Sequence, residues 1–277
     1  MSPANTSAAH QKSDPSLNLA SFWEQRLSQN PSLVGVGHIG FSLAYNQWMY
    51  RLRRAVFLRH VRSLGVDFRK AEVLDVGSGV GFWIRVWRSL GVQSLTGSDI
   101  TAFATQKIAV ENPGIRAVQL DIASPAVQET LGGKYDLVSA IDMLYHIVSD
   151  ADYEAAFANL SQLLKSGGHL IITENLLHQS VAKTPVQSNR TLNLVMELLA
   201  RNGLSVIRRA PVFVLMNYPV DTRSALLKRL WLLATLPASY LEFMGNLYGA
   251  LLYPMDLALT KLLKEGPSTE ILICRKP

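Results

Sequence analysis

The sequence predicts an α/β fold: a mostly parallel, seven-stranded sheet with helices on both faces, a helical cap before it and a helical insertion before the last strand. Three observations carry this expectation. Short apolar runs of strand type alternate with segments of helical periodicity from residue 72 onward. The first run ends in a glycine turn, GSGVG at 77–81, that opens directly into a helical segment. Aspartates then close the second and third runs, at Asp99 and Asp121.

Residues 1–18, rich in Ser, Ala, Asn and Pro, read as a flexible tail. Residues 19–68 form the cap: a short amphipathic piece, FWEQRLSQN, then the Gly-containing LVGVGHIGF, then the long helix SLAYNQWMYRLRRAVFLRHVRSLG, for which Gly65 suits the C-cap. The core, 69–216 with 267–277, follows as strand EVLDV (72–76), helix FWIRVWRSLG (82–91), strand SLTGSD (94–99), a helix near 101–110 and strand IRAVQLD (115–121). Strand YDLVSAID (135–142), a helix over about 151–164, strand GGHLIITE (167–174), helix TLNLVMELLARNG (191–203) and strand LSVIRRAPVFVL continue it. TEILICRK at 269–276 closes the sheet.

The intervening 217–266 is a hydrophobic helical insertion. Its uncharged stretches, 230–241 and 243–255, fall short of the roughly 20 apolar residues a spanning helix needs. Pro237 and Pro254 are expected to break it further. The favoured reading is a lid over an apolar substrate, with a homodimer surface or weak peripheral membrane contact as the other occupants considered.

Composition bounds the function. Of 277 residues, 48% are hydrophobic and 17% charged, which excludes a disordered chain. The net charge of +6 is spread over short clusters (51–54, Arg85 and Arg88, Arg208–Arg209, Lys228–Arg229), without a basic arm or nucleic-acid motif, so no nucleic-acid partner is expected. One cysteine, Cys274, in the apolar run ILIC, is expected to be a buried thiol. With no signal-like apolar stretch in the first 18 residues, the expected location is cytoplasmic.

The glycine turn supplies the chemistry. Gly77 lies where the strand delivers the chain, Gly79 lets a ligand approach the backbone, and Gly81 permits close helix packing. Asp99 is placed to accept from both ribose hydroxyls and Asp121 from an adenine amino group, although each alone also suits a helix cap or turn. A nicotinamide site would space its glycines as GxGxxG, whereas here they stand at 77, 79 and 81.

In order, DVGSGVG, the Asp99 strand end, QLDI (119–122), YDLVSAIDMLYHI (135–147) and LKSGGHLIIT (164–173) resemble the successive motifs of class I S-adenosylmethionine (SAM)-dependent methyltransferases, over roughly 70–215 plus the terminal strand. The resemblance implies a Rossmann-like core that binds SAM and releases S-adenosylhomocysteine, with no metal required. It implies that Asp75, Gly77, Gly79 and Gly81 shape the pocket for the methionine part, that Asp99, with Ile100 beside it, holds the ribose, and that Asp121 and Ile122 surround the adenine. Ile141 and Asp142 would line the cofactor where it meets the acceptor. From the cap, Tyr45 and Arg54 (or Arg51 in its place) are expected at the cofactor, an arginine pairing with the SAM carboxylate.

Methyl transfer from a sulfonium asks mainly for positioning, and a hydroxyl acceptor also for removal of a proton. His146, after the fourth strand, is the candidate base, against the plainer role of shaping the pocket. Expected on the acceptor side are His38, Tyr50, Tyr145, Glu174 and His178. The histidines show no metal-binding spacing, so no metal site is expected. The expected reaction is methylation of a hydroxyl on a small, partly hydrophobic metabolite. The alternatives are N-methylation of a small amine, then methylation of RNA or protein, then a non-catalytic SAM-binding scaffold.

Overall fold

The computed structural model describes residues 18–179 and 183–277, so the expected tail lies, but for Asn18, outside the described residues. Seven strands form one sheet: β1 (Glu72–Val76), β2 (Ser94–Asp99), β3 (Arg116–Gln119), β4 (Tyr135–Ala140), β5 (Leu164–Asn175), β6 (Ser205–Pro211) and β7 (Thr269–Arg275). Their order is β3-β2-β1-β4-β5-β7-β6. β1 to β5 are parallel neighbours, and β7 runs antiparallel between β5 and β6. Both faces are covered, because alternate β1 side chains enter different cores. Val73 packs with Trp83, Trp87 and Phe57 on one face. Leu74 and Val76 pack with Tyr153, Phe157 and Leu198 on the other. Cys274 is buried on that second face, and burial pushes its thiol up to about 12. The chain order reverses between β1 and β4, and the crevice at the carboxyl ends of these strands is where ligands bind in open parallel sheets.

The core helices are α4 (Phe82–Ser89), α5 (Ala102–Glu111), α6 (Val127–Leu131), α7 (Asp150–Gln162) and α8 (Leu192–Arg201); four match the segments of helical periodicity, and the short α6 is not among them. The cap comprises α1 (Leu19–Gln29), a single turn α2 (Leu33–Val36) and the long α3 (Leu43–Val61). Ser42 caps α3 through the Tyr45 amide, and Gly65 ends the following 3-10 turn at φ 70°.

The insertion departs from expectation in one way. Its helices, α9 (Ala225–Tyr240) and α10 (Glu242–Leu262), run through Pro237 and Pro254. A proline removes its own N–H but leaves its carbonyl free to accept, and the Pro237 carbonyl takes the Leu241 amide at 3.2 Å. The chain breaks only at Leu241, which is extended (φ −120°, ψ 118°). The insertion also packs closely on the cap. α10 lies along α3 at a separation set by Gly245 and Gly249, where an added methyl would strike Ser42 and Trp48. The buried Asp256 accepts from the amides of Val214, Leu215 and Met216 at 2.8–2.9 Å, and Trp231 Nε1 donates to the Leu215 carbonyl at 2.7 Å. These amides leave the sheet after Pro211, so β6 is shorter than the apolar run suggested.

An Asp256→Ala chain, with three amides left without their acceptor, is expected to lose about 3 kcal/mol of stability in urea unfolding. Asp256→Asn, which keeps one acceptor oxygen, should lose less.

Candidate active site

A cavity of about 1000 Å3 opens at the carboxyl ends of β1, β2 and β4. Its floor is the glycine turn Gly77–Val80, with Gly77 at φ 70° and Gly79 at φ 51°. A side chain at Gly77 would meet Met143 Cβ at 2.8 Å, and one at Gly79 would meet Val36 Cγ1 at 2.7 Å. Both positions therefore require glycine, for conformation and for space.

Asp99 ties this turn to the end of β2. One carboxylate oxygen accepts from the Gly79 amide at 2.9 Å, and the other from the Thr101 amide (3.0 Å) and hydroxyl (2.7 Å). Burial pushes its pKa up. Asp121 and Ile122 line the same cavity, one exposed and one buried. Asp121 Oδ1 accepts from the Ala123 amide at 2.9 Å. Asp75 lies beneath the turn rather than on the cavity wall. Its Oδ1 takes the Ser139 hydroxyl at 2.7 Å, its Oδ2 has no partner among the described residues, and burial pushes it up to about 7.

β4 delivers Ile141 and Asp142 to the cavity. Asp142 is left-handed at φ 57°, and its amide and Oδ1 both meet Thr173 Oγ1, at 2.7 and 2.9 Å. Its other oxygen lies 2.5 Å from Nε of the buried Arg53. That guanidinium sits between the Tyr50 ring, 4.9 Å away, and the Phe213 ring, 4.6 Å away. In the 3-10 turn that follows, His146 lines the cavity with Nδ1 2.8 Å from the Val186 carbonyl. Its ring rests against Trp23 of α1 and Tyr145, with centroids 4.6 and 4.5 Å apart. Burial lowers its pKa to about 4, so the imidazole is neutral at physiological pH.

The cavity brings together Gly77, Gly79, Asp99, Ile100, Asp121, Ile122, Ile141, Tyr50 and His146. The other expected site residues stand apart from it. Gly81 is the N-cap of α4. Tyr45 is buried on a different side of α3, donating to the Met216 carbonyl at 3.0 Å. Arg54 is exposed, and Arg51 stacks on Trp48 at 4.1 Å, so Arg53 is the arginine that α3 turns inward with Tyr50. His38 is exposed and packs on Phe41. Tyr145 stands behind His146. Glu174 is fully buried, accepts from Tyr153 Oη at 2.9 Å, and is pushed up to about 8 by burial. His178 pairs with Asp221 at 2.6 Å on the surface. Sequence reasoning missed Trp23 and Arg53. A short helix gives no clue to what it covers, and the three arginines of RLRR differ only in helical phase, which distinguishes them once the partner is placed.

The family described as "Methyltransferase domain" matches residues 47–209, more than half of the chain. The protein belongs to the methyltransferase domain family. It is a SAM-dependent enzyme. The tRNA U34 carboxymethyltransferase of Pseudomonas aeruginosa is 36% identical over 124 residues, covering 43% of this chain and 36% of that one. The polyketide synthase component of compactin nonaketide synthase from Penicillium citrinum is 32% identical over 131 residues, 44% of this chain and 4% of that one. The chain thus spans little more than a third of the length of the first of these relatives. Two solved structures share the fold. One is the magnesium protoporphyrin IX methyltransferase of Synechocystis PCC 6803 with bound SAM (TM-score 0.56, 15% identity, 95% of this chain and 100% of that one). The other is the N-methyltransferase NodS of Bradyrhizobium japonicum WM9 with S-adenosylhomocysteine (TM-score 0.54, 15% identity, 94% and 100%). The expectation of a small-molecule acceptor and no nucleic-acid partner is overturned by the relatives named for tRNA, from Pseudomonas and also from Azotobacter vinelandii. A scan for linear basic arms does not register cations dispersed along a chain.

The residues present fit SAM. A nucleoside with a cationic amino-acid arm meets a carboxylate at each of two strand ends, and the side-chain-free backbone of Gly77 and Gly79 admits close approach. Asp99→Ala is expected to weaken SAM binding about 30-fold by calorimetry, the loss of charged hydrogen bonds worth about 2 kcal/mol. It should leave the far-UV spectrum unchanged.

Proposed function

We propose that the protein methylates a nucleoside of RNA. The observation that carries this reading is the shared sequence, at 36% identity over 124 residues, with enzymes named as tRNA U34 carboxymethyltransferases. The net charge of +6 supports it, since phosphate contacts dominate affinity for nucleic acid. So does the cavity, whose volume of about 1000 Å3 lies at the upper end for a ligand site and leaves space beside a cofactor. Trp23, Tyr50 and Phe82 on its wall are the side-chain types on which unpaired RNA bases stack.

Bound at the glycine turn, SAM supplies an electrophilic methyl group whose transfer leaves a neutral thioether. Asp99 and Asp121 hold the nucleoside end by accepting hydrogen bonds. The Arg53–Asp142 pair ties the end of β4 to α3 beside the acceptor side of the cavity. His146 takes the proton of the attacking group. Its Nδ1–H is committed to the Val186 carbonyl, which leaves Nε2 with its lone pair free to accept.

Incubation with cell extract and SAM carrying a deuterated methyl group should label nucleosides released from the RNA fraction. Label confined to small molecules would overturn the reading, and an N-methylated amine among them would establish the small-amine alternative. His146→Ala should lower kcat about 100-fold with SAM affinity unchanged. Because the folded His146 pKa lies near 4, below the free value of 6.5, the base stays unprotonated as pH falls through 6. The kcat profile should therefore be flat from pH 8 to about 5.5 and fall only below about 5.

A further inference from the structure

Helices α9 and α10 turn a continuous apolar surface outward. On α10 the exposed positions Phe243, Leu247, Leu251, Met255 and Leu262 recur at helical spacing, with Ala250, Pro254 and Ala258 between them. On α9, Leu226, Leu230, Leu233, Leu236 and Tyr240 do the same. A surface helix of a water-soluble body carries polar residues on that face; here it is inverted. Tyr240 and Phe243, 73% and 74% exposed, flank the Leu241 break.

The charges are segregated. Trp231 and Asp256 reach the same short segment, Leu215 and its neighbours, so the two helices lie side by side and the start of α9 shares an end with the finish of α10. Five cations gather there: Arg223, Lys228, Arg229, Lys261 and Lys264. None has a carboxylate partner among the described residues. The nearby acids are committed: Asp256 to three backbone amides, Asp221 to the His178 amide and ring at 2.8 and 2.6 Å, and Glu265 to Arg209 at 3.3 Å.

We propose that the α9–α10 pair is a monotopic docking surface for an anionic lipid bilayer, its apolar face entering the acyl boundary and its five cations meeting the headgroups. No helix among the described residues is long and apolar enough to cross a membrane, so the contact is with one leaflet. Charge complementarity selects this occupant. A second copy on the same face brings five more cations without acids to meet them, and an RNA strand would engage the cations while leaving the leucine face in water. A bilayer satisfies both. The surface is separate from the cavity, whose described wall contains no residue of 217–266.

The test is flotation of the full chain with vesicles of phosphatidylcholine alone or with about 30% phosphatidylglycerol. The chain should float with the anionic vesicles and at least tenfold less with neutral ones, and the binding should weaken with added salt. Lys228→Glu with Arg229→Glu should cut anionic binding at least tenfold, as should Phe243→Ser with Leu251→Ser, while SAM affinity stays unchanged in both. Equal binding to both vesicle types, or none, overturns the proposal. So does a concentration-dependent dimer dissolved by the Phe243/Leu251 pair without vesicle binding, which assigns the face to a second copy. Loss of RNA binding in the Lys228/Arg229 pair without vesicle binding overturns it in favour of RNA.

Discussion

Arg53 carries its charge from α3 into the interior and sets it 2.5 Å from Asp142 at the end of β4. Both groups are taken almost wholly out of water, a cost that only close pairing offsets, and leaving either charge alone there would cost about 3–5 kcal/mol. The pair therefore holds α3 across the carboxyl edge of the sheet. Much else follows from that placement. Tyr50, on the same turn of α3, becomes part of the cavity wall, and Asp142 adopts the left-handed backbone that leads into the turn bearing His146. The outer side of α3 is left free to receive α10 through Gly245 and Gly249. One helix thus joins the reaction centre to the outer apolar surface.

In and beneath the cavity the same desolvation favours the neutral form of three groups. Asp99 and Asp75 are pushed up, and His146 is pushed down to about 4. A bound cation would stabilise the carboxylates, while the imidazole is neutral at physiological pH. Asp99 does structural work as well, since its oxygens anchor the glycine turn and the start of α5. The turn is held in ligand-ready form by the carboxylate that the ligand would share.

The insertion shows how a chain tolerates residues that break isolated helices. Pro254 sits inside a helix of 21 residues because α10 is held along its length by α3 and by the three amides on Asp256. Gly245 and Gly249 let its inner face approach α3, where Tyr248, Leu252, Tyr253 and Leu257 pack on the core, and Phe243, Leu247, Leu251 and Met255 stay exposed on the outer face.

The sequence by itself determined the sheet, the order of its elements and the cofactor edge. Period-two and period-3.6 hydrophobicity and the glycine turn are local signals, and strand ends such as Asp99 and Asp121 take their position from chain direction alone. β1 and β2 begin and end where the pattern placed them. The tertiary structure decided which side of each cap helix faces the site. RLRR offers its arginines at successive helical phases, and only contact with Asp142 and Phe213 selects Arg53 over Arg51 and Arg54. Tyr45, Glu174 and His178 carry the right chemistry but are drawn to Met216, Tyr153 and Asp221. The direction of the insertion, too, depends on glycine contacts between residues about two hundred positions apart, for which no local pattern exists. Local sequence sets what each segment forms, and long-range packing and the pairing of buried charge set what each segment meets.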